Sequence, residues 1–81
     1  MTQFQRQVER LVVKADAPGT LGDKSFYETG LLRGFILAFD ATNRYNALHA
    51  IDEALAEGAG LYETIRGLEM AREIIFRFID D

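Results

Sequence analysis

The chain has 81 residues and a formal net charge of −4, with 48% apolar residues, one His and no Cys. This size and composition predict a single helical domain over residues 1–81, and they exclude disulfides and a Cys/His zinc site. The longest apolar run, residues 34–39, is far shorter than the ~20 residues of a membrane span, and the polar N-terminus lacks the features of a signal peptide, so we expect a cytoplasmic protein with no membrane contact.

The first predicted helix runs from about Gln3 to Lys14. Its apolar residues follow the i, i+4, i+7, i+8 spacing of one helical face, at Phe4, Val8, Leu11 and Val12. Its basic residues recur at steps of four and form a stripe on another face, at Arg6, Arg10 and Lys14. The helix is predicted to break over residues 15–24, which contain Pro18, Gly19 and Gly22.

The second predicted helix begins at Ser25, because the run Ser25-Phe26-Tyr27-Glu28 has the pattern of a capping box. In that motif the serine hydroxyl accepts from the amide of the glutamate, and the glutamate side chain reaches back to the serine. From there to about Thr42 the sequence is apolar nearly all round the helix. Such a helix is typical of the middle of a bundle or of an interface.

Two glycines four residues apart lie inside this helix, Gly30 and Gly34, and Ala38 continues the pattern. An interior glycine costs ~1 kcal/mol relative to alanine, so this spacing indicates the close approach of a neighbouring helix. We favour a neighbouring helix of the same chain over a seam between two copies.

A short connection is predicted at residues 43–46, followed by a third helix from about Ala47 to Glu57 that ends at residues 58–60. The fourth predicted helix runs from Leu61 almost to the C-terminus. Its main apolar stripe comprises Leu61, Ile65, Leu68, Ile75 and Phe78 or Ile79. We therefore predict an all-α fold, a compact bundle of four helices with the second helix central. It would have three helices if the break at Asn43 were only a kink.

Three patterns resemble reactive sites, and each is incomplete. The run Gly19-Thr20-Leu21-Gly22-Asp23-Lys24-Ser25 has Asp23 where a phosphate-binding loop needs glycine. His49, Asp52 and Glu53 share a helical face, but one His per chain cannot assemble the usual metal site of a helical bundle. The one Ser is explained as a helix cap, and no second base orients His49. We therefore expect no catalytic residue, no metal and no cofactor.

Negative charge is concentrated in residues 45–65, which carry four acids and no Lys or Arg. Basic proteins are attracted to such a surface, whereas nucleic acid is repelled by it. We predict an acidic partner-binding surface that comprises Asp52, Glu53, Glu57 and Glu63. We also predict an apolar one, drawn from the second and fourth helices, that includes Met70, Ile74 and Phe76.

The leading hypothesis is a non-catalytic protein-interaction module, a small acidic inhibitor or adaptor of the kind encoded by phages and mobile elements, which binds and blocks a host protein. Its partner would have a basic surface, and a homodimer is a further option. One alternative is a dimeric nucleic-acid-binding or regulatory protein that uses the stripe Arg6, Arg10 and Lys14. Another is a small-ligand-binding protein or an enzyme, with a pocket lined by Tyr27, Tyr62 and His49.

Overall fold

Helices form all of the regular secondary structure in the part of the chain that this computed structural model describes, which is residues 1–16, 25–58 and 60–80. They are α1 (Gln3–Asp16), α2 (Phe26–Ala41), α3 (Arg44–Ala56) and α4 (Tyr62–Phe78). The predicted all-α bundle of four helices is thus confirmed. The predicted break at Pro18, Gly19 and Gly22 and the loop over residues 19–24 lie outside the described residues.

The helix α2 lies at the centre of the bundle and packs against each of the other three, as predicted. Its end lies beside the start of α1, where the Thr2 hydroxyl donates to the Thr42 carbonyl oxygen over 3.1 Å. The two helices are therefore antiparallel. Gly30 of α2 faces Thr64 of α4, and Gly34, one turn later, faces Ala71. Residues later in α2 thus meet residues later in α4, so this pair of helices runs parallel. Because α2 is apolar nearly all round, it can bury side chains against three neighbours at once.

The core draws its largest fully buried side chains from α1, α3 and α4, and α2 adds Phe35 and Ala38. Burying one such aliphatic or aromatic side chain contributes roughly 1.5–3 kcal/mol relative to leaving it exposed. The fully buried large residues are Phe4, Val8, Ile51, Leu68 and Ile75. At the end of α4 the predicted choice between Phe78 and Ile79 is decided for Ile79, which is buried while Phe78 is exposed.

The helices α2 and α4 approach each other closely enough that two glycines are required. A methyl group at Gly30 would lie 2.9 Å from the Thr64 carbonyl carbon and 3.0 Å from its Cα. One at Gly67 would lie 2.6 Å from the Leu31 backbone nitrogen. Gly34 faces Ala71 in the same seam. The close neighbour predicted for the side of α2 that carries Gly30, Gly34 and Ala38 is therefore a helix of the same chain. Gly67 of α4 also lies in this contact, which the sequence pattern did not reveal.

The connection between α2 and α3 is shorter than predicted. Thr42 ends α2 in the left-handed conformation, with φ of 67°, and its amide donates to the Phe39 carbonyl oxygen. Asn43 then caps α3, because its side-chain oxygen accepts from the Asn46 amide over 2.8 Å. The predicted connection at residues 43–46 was wrong in its extent, since Arg44 and the two residues after it form the first turn of α3. The break is real, so the three-helix alternative is excluded.

Candidate functional site

The four predicted acidic residues are all exposed, at the end of α3 and the start of α4. Asp52 and Glu53 lie on the outer side of α3, Glu57 is its C-cap residue, and Glu63 is in the first turn of α4. Their shared property is their charge.

Asp52 differs from the other three because it is already engaged with α4. Its two carboxylate oxygens accept from Arg72, one from Nε over 2.6 Å and the other from Nη2 over 3.3 Å. The hydrogen bond raises the pKa of Arg72 above its ordinary value. The charge count over residues 45–65 did not reveal this ion pair, because Arg72 lies outside that segment, in α4. Glu53 and Glu57 are therefore the acids of α3 whose charge is presented outward, and His49 Nε2 lies 3.1 Å from the Glu53 carboxylate.

A small apolar cavity lies between the first turn of α3 and the last turns of α4. Its volume is about 200 Å³, and we call it the aromatic notch, defined by Arg44, Tyr45, Leu48 and Phe76. The Arg44 guanidinium lies 5.1 Å from the centre of the Phe76 ring and also donates to the Phe76 carbonyl oxygen. This cation–π contact and hydrogen bond fix the inner wall of the notch. Tyr45 is 78% exposed and Phe76 50% exposed, so the outer walls face solvent.

The predicted apolar surface of Met70, Ile74 and Phe76 is not one surface. At 100° per residue, Phe76 lies about 120° around α4 from Met70 and about 160° from Ile74. Phe76 contributes to the aromatic notch beside α3. Ile74 lies instead against α1 and α2, at an apolar groove of about 300 Å³ that also includes Leu11 and Leu31. Only Met70 and Ile74, one turn apart, share a side of the helix.

Met70 belongs to a third groove, of about 460 Å³, on the outer side of α4. Tyr27 and Tyr62 both line this groove, as the small-ligand alternative supposed. The Arg66 guanidinium lies 5.9 Å from the centre of the Tyr62 ring and donates to its hydroxyl over 3.3 Å, which raises the pKa of Arg66. His49 does not reach the groove, since it lies on α3 beside Glu53.

The basic stripe of α1 is exposed along its whole length. None of the ion pairs between described residues includes Arg6, Arg10 or Lys14. The stripe does not meet the acids of α3 within the chain, because α1 packs chiefly on α2.

The reactive side chains are dispersed in the part of the chain that the structure describes. The Ser25 hydroxyl accepts from the Glu28 amide over 3.1 Å and donates to the Glu28 carboxylate over 3.0 Å, so it serves as the N-cap of α2. Within the described ranges, no three His, Cys, Asp or Glu side chains converge as metal ligands. Over the same ranges, no helix combines the length and apolar character that crossing a membrane requires.

The sequence reasoning missed three members of the notch, Arg44, Tyr45 and Leu48. The available signal was Asn43: read as an N-cap, it would have placed Arg44 and Tyr45 in the first turn of α3, one turn before Leu48. The chain matches no protein-family model, no curated protein and no solved structure. Its function is therefore inferred from its surfaces.

Proposed function

We propose that this protein is a non-catalytic interaction module that binds the basic surface of another protein. The binding site is the α3–α4 face, which we define as the aromatic notch together with Asp52, Glu53 and Glu57 on α3 and Arg72 on α4. The observation that carries the proposal is that an exposed aromatic ring, Tyr45, and the outward carboxylates lie along α3, with the exposed Phe76 ring of α4 beside Tyr45. Glu63, at the start of α4, extends the negative end of the face.

The two ends of the face have different physical roles. Exposed aromatic side chains around a small cavity are the usual anchors of protein interfaces, because they bury much apolar area at low cost in conformational entropy. Exposed acids at the rim contribute mainly to the association rate and to the choice of partner. A basic protein with one projecting apolar side chain would fit this face, because the side chain could enter the aromatic notch while basic groups meet the acids of α3. An inhibitor or adaptor of phage type, which covers the nucleic-acid-binding surface of a host protein, would act in this way.

No catalytic step is assigned to the chain. The hydroxyl of Ser25 is used in the cap of α2, and the imidazole of His49 faces a single exposed carboxylate. A nucleophile and an oriented base are not adjacent among the described residues, so binding is the simpler role. The cysteine-free composition supports a reducing compartment such as the cytoplasm for that role.

The test compares two charge-reversed variants with the same change in net charge. Glu53→Lys/Glu57→Lys alters the α3–α4 face, whereas Glu9→Lys/Asp40→Lys alters exposed acids of α1 and α2, outside that face. A protein captured from a host lysate is purified, and its affinity for each variant is measured. We expect the control variant to bind as the wild type does and the face variant to lose binding. Equal binding by the two variants would remove the face from the proposal.

The aromatic notch is tested separately with the same purified partner. Tyr45→Ala should weaken binding by about tenfold or more, because truncation of a central aromatic anchor commonly costs more than 1 kcal/mol. Phe78→Ala, an exposed aromatic change on the side of α4 away from the notch, provides the matched control. An unchanged affinity for the Tyr45 variant would show that the acids act without an apolar anchor.

The second candidate, nucleic-acid binding by the α1 stripe, has one observation in its favour: Arg6, Arg10 and Lys14 are exposed and take no part in the ion pairs of the described residues. Binding of a mixed DNA or RNA pool would then weaken steeply as salt is raised. Reversal of the three residues to Glu should abolish it. Absence of binding at low salt would dispose of this candidate.

A further inference from the structure

We propose that the α3–α4 face also accepts the outer side of α1 from a second copy of this chain. The inference rests on the proposed function, because it uses the same face, and it names one occupant for it. The two surfaces are complementary in charge, one basic and one acidic, and within a chain they remain apart. Self-association and partner binding would therefore compete.

The outer side of α1 combines its basic stripe with an exposed apolar residue. Val13 is 65% exposed. At 100° per residue it lies about 20° from Arg6 and about 60° from Arg10, so the three form one strip of surface. The strip is apolar at Val13 and basic at Arg6 and Arg10, and the exposed acid Glu9 lies about 60° from Arg6 on its other side.

The spacing of the two strips also matches. Seven residues separate Arg6 from Val13, which is about 10 Å along a helix, and eight separate Tyr45 from Glu53, which is about 12 Å along α3 with Glu53 about 80° around its axis from Tyr45. If α1 of the second copy docks antiparallel to α3, Val13 lies at the aromatic notch while Arg6 lies within a turn of Glu53. The antiparallel arrangement also sets the two helix dipoles in their favourable relative orientation.

The notch is large enough for this anchor. Its volume of about 200 Å³ exceeds the ~150 Å³ of a buried cavity that holds a benzene ring, so it has room for a valine side chain. Its inner wall is held by Arg44, which is itself tied to Phe76. Between the notch and Glu53, the Asp52–Arg72 pair is close to electrically neutral. The charge that selects the direction of docking is thus at the Glu53 end.

A second copy is favoured over nucleic acid as the mate of the α1 stripe. The chain as a whole carries a net charge of −4, which repels a phosphate backbone. The acidic end of the α3–α4 face, in contrast, presents opposite charge at a matching spacing. The contact is heterologous, since different surfaces meet, so copies would add in series unless the assembly closes on itself.

The experiment measures mass by light scattering after size exclusion, with protein up to about 1 mM, where contacts with a Kd of that order are half populated. At low salt we expect the mean mass of the wild type to rise with concentration above the 9.1 kDa of one chain. At about 1 M salt, where the Debye length is ~3 Å, the mass should return toward that of one chain. A wild type that stays monomeric at low salt would overturn the inference.

A charge exchange identifies the two surfaces. Arg6→Glu/Arg10→Glu and Glu53→Lys/Glu57→Lys should each be monomeric alone, because like charges then face each other. The two variants mixed should associate with one another, since opposite charges then face each other in both possible contacts between unlike variants. Failure of the mixture to associate, while the wild type does, would refute the α1 docking. If the wild type is monomeric but a partner still depends on Glu53 and Glu57, the inference fails and the proposed function stands.

Discussion

Asp52 illustrates how the fold changes the meaning of a single residue. In the sequence it is one of four acids in a segment without Lys or Arg, and it was predicted to face a partner. In the structure its carboxylate is bound by Arg72 of α4. The sequence fixes the charge of a residue, but the neighbour that offsets this charge lies 20 positions away and depends on how α3 and α4 pack. Glu53 and Glu57 are therefore the better residues for testing partner binding.

The Asp52–Arg72 pair should contribute little to stability. Both side chains are partly exposed, and ion pairs of this kind typically contribute ~0.2–1 kcal/mol. In a double-mutant cycle with Asp52→Ala and Arg72→Ala, we expect a coupling energy in that range, measured by urea denaturation and reduced at high salt. A coupling well above it would mean that the pair holds α3 against α4, which would alter the choice of binding variants.

Gly67 carries the strongest steric constraint that the sequence reasoning did not anticipate. Gly30 and Gly34 were recognisable because they are two glycines four residues apart in one helix, whereas the residue four positions after Gly67 is an alanine, Ala71. Its requirement arises only where α4 crosses Gly30 and Leu31 of α2. Sequence periodicity predicted that α2 is approached closely, but it could not predict which residue approaches it.

Gly67→Ala is expected to destabilise the protein, although alanine is the better helix former. The added methyl group would meet backbone atoms of α2, which cannot move aside as a side chain could. Overpacking of this kind costs ~1–3 kcal/mol, against which the gain in helix propensity is ~1 kcal/mol. The urea midpoint, followed by circular dichroism, should fall. Thr29→Ala, on the exposed side of α2, should leave it within about 0.5 kcal/mol of the wild type. A Gly67 variant as stable as this control would contradict the tight seam.

At the scale of the helices, the starts were predictable where a capping residue was recognised. The cap at Ser25 placed the start of α2 correctly. The start of α3 was placed three residues late because Asn43 was assigned to a connection, although it is the N-cap. That error concealed Arg44 and Tyr45 as helical residues and thereby concealed the aromatic notch. The helix ends deviated less, since α1 continues two residues beyond the predicted Lys14.

The helix α4 allows a cap to be added, because Leu61 occupies its N-cap position and makes no side-chain hydrogen bond there. Its backbone is extended, as a cap requires, and its side chain is largely exposed. Leu61→Asp should therefore stabilise the protein by up to about 1 kcal/mol, through a hydrogen bond to the amides of the first turn and a favourable interaction with the helix dipole. Asn43→Ala, which removes an existing cap, should destabilise it by ~1 kcal/mol. A fall in the denaturation midpoint for the Leu61 variant would show that its apolar contacts outweigh the cap.

For the whole molecule, the arrangement of helices followed from the sequence more fully than the arrangement of surfaces did. A helix that is apolar nearly all round had to lie in the middle, and α2 does. The division of Met70, Ile74 and Phe76 among three grooves depends instead on the position of α4 relative to α1, α2 and α3. Helical periodicity alone gives directions around one axis, so it identified exposed apolar residues without showing which of them meet.

Because α2 contacts every other helix, the described bundle should unfold as one cooperative unit. Two phenylalanines test this with the same chemical change: Phe35 is 3% exposed in the core and Phe78 is 72% exposed. Phe35→Ala should cost ~3–5 kcal/mol, a large part of the ~4–12 kcal/mol expected for a chain of this length, while Phe78→Ala should cost ~0.5 kcal/mol or less. Helicity by circular dichroism and tyrosine fluorescence, which reports on α2, α3 and α4, should be lost in coincident transitions for both variants. Two separate transitions, or equal costs for the two substitutions, would mean that α2 does not couple the bundle.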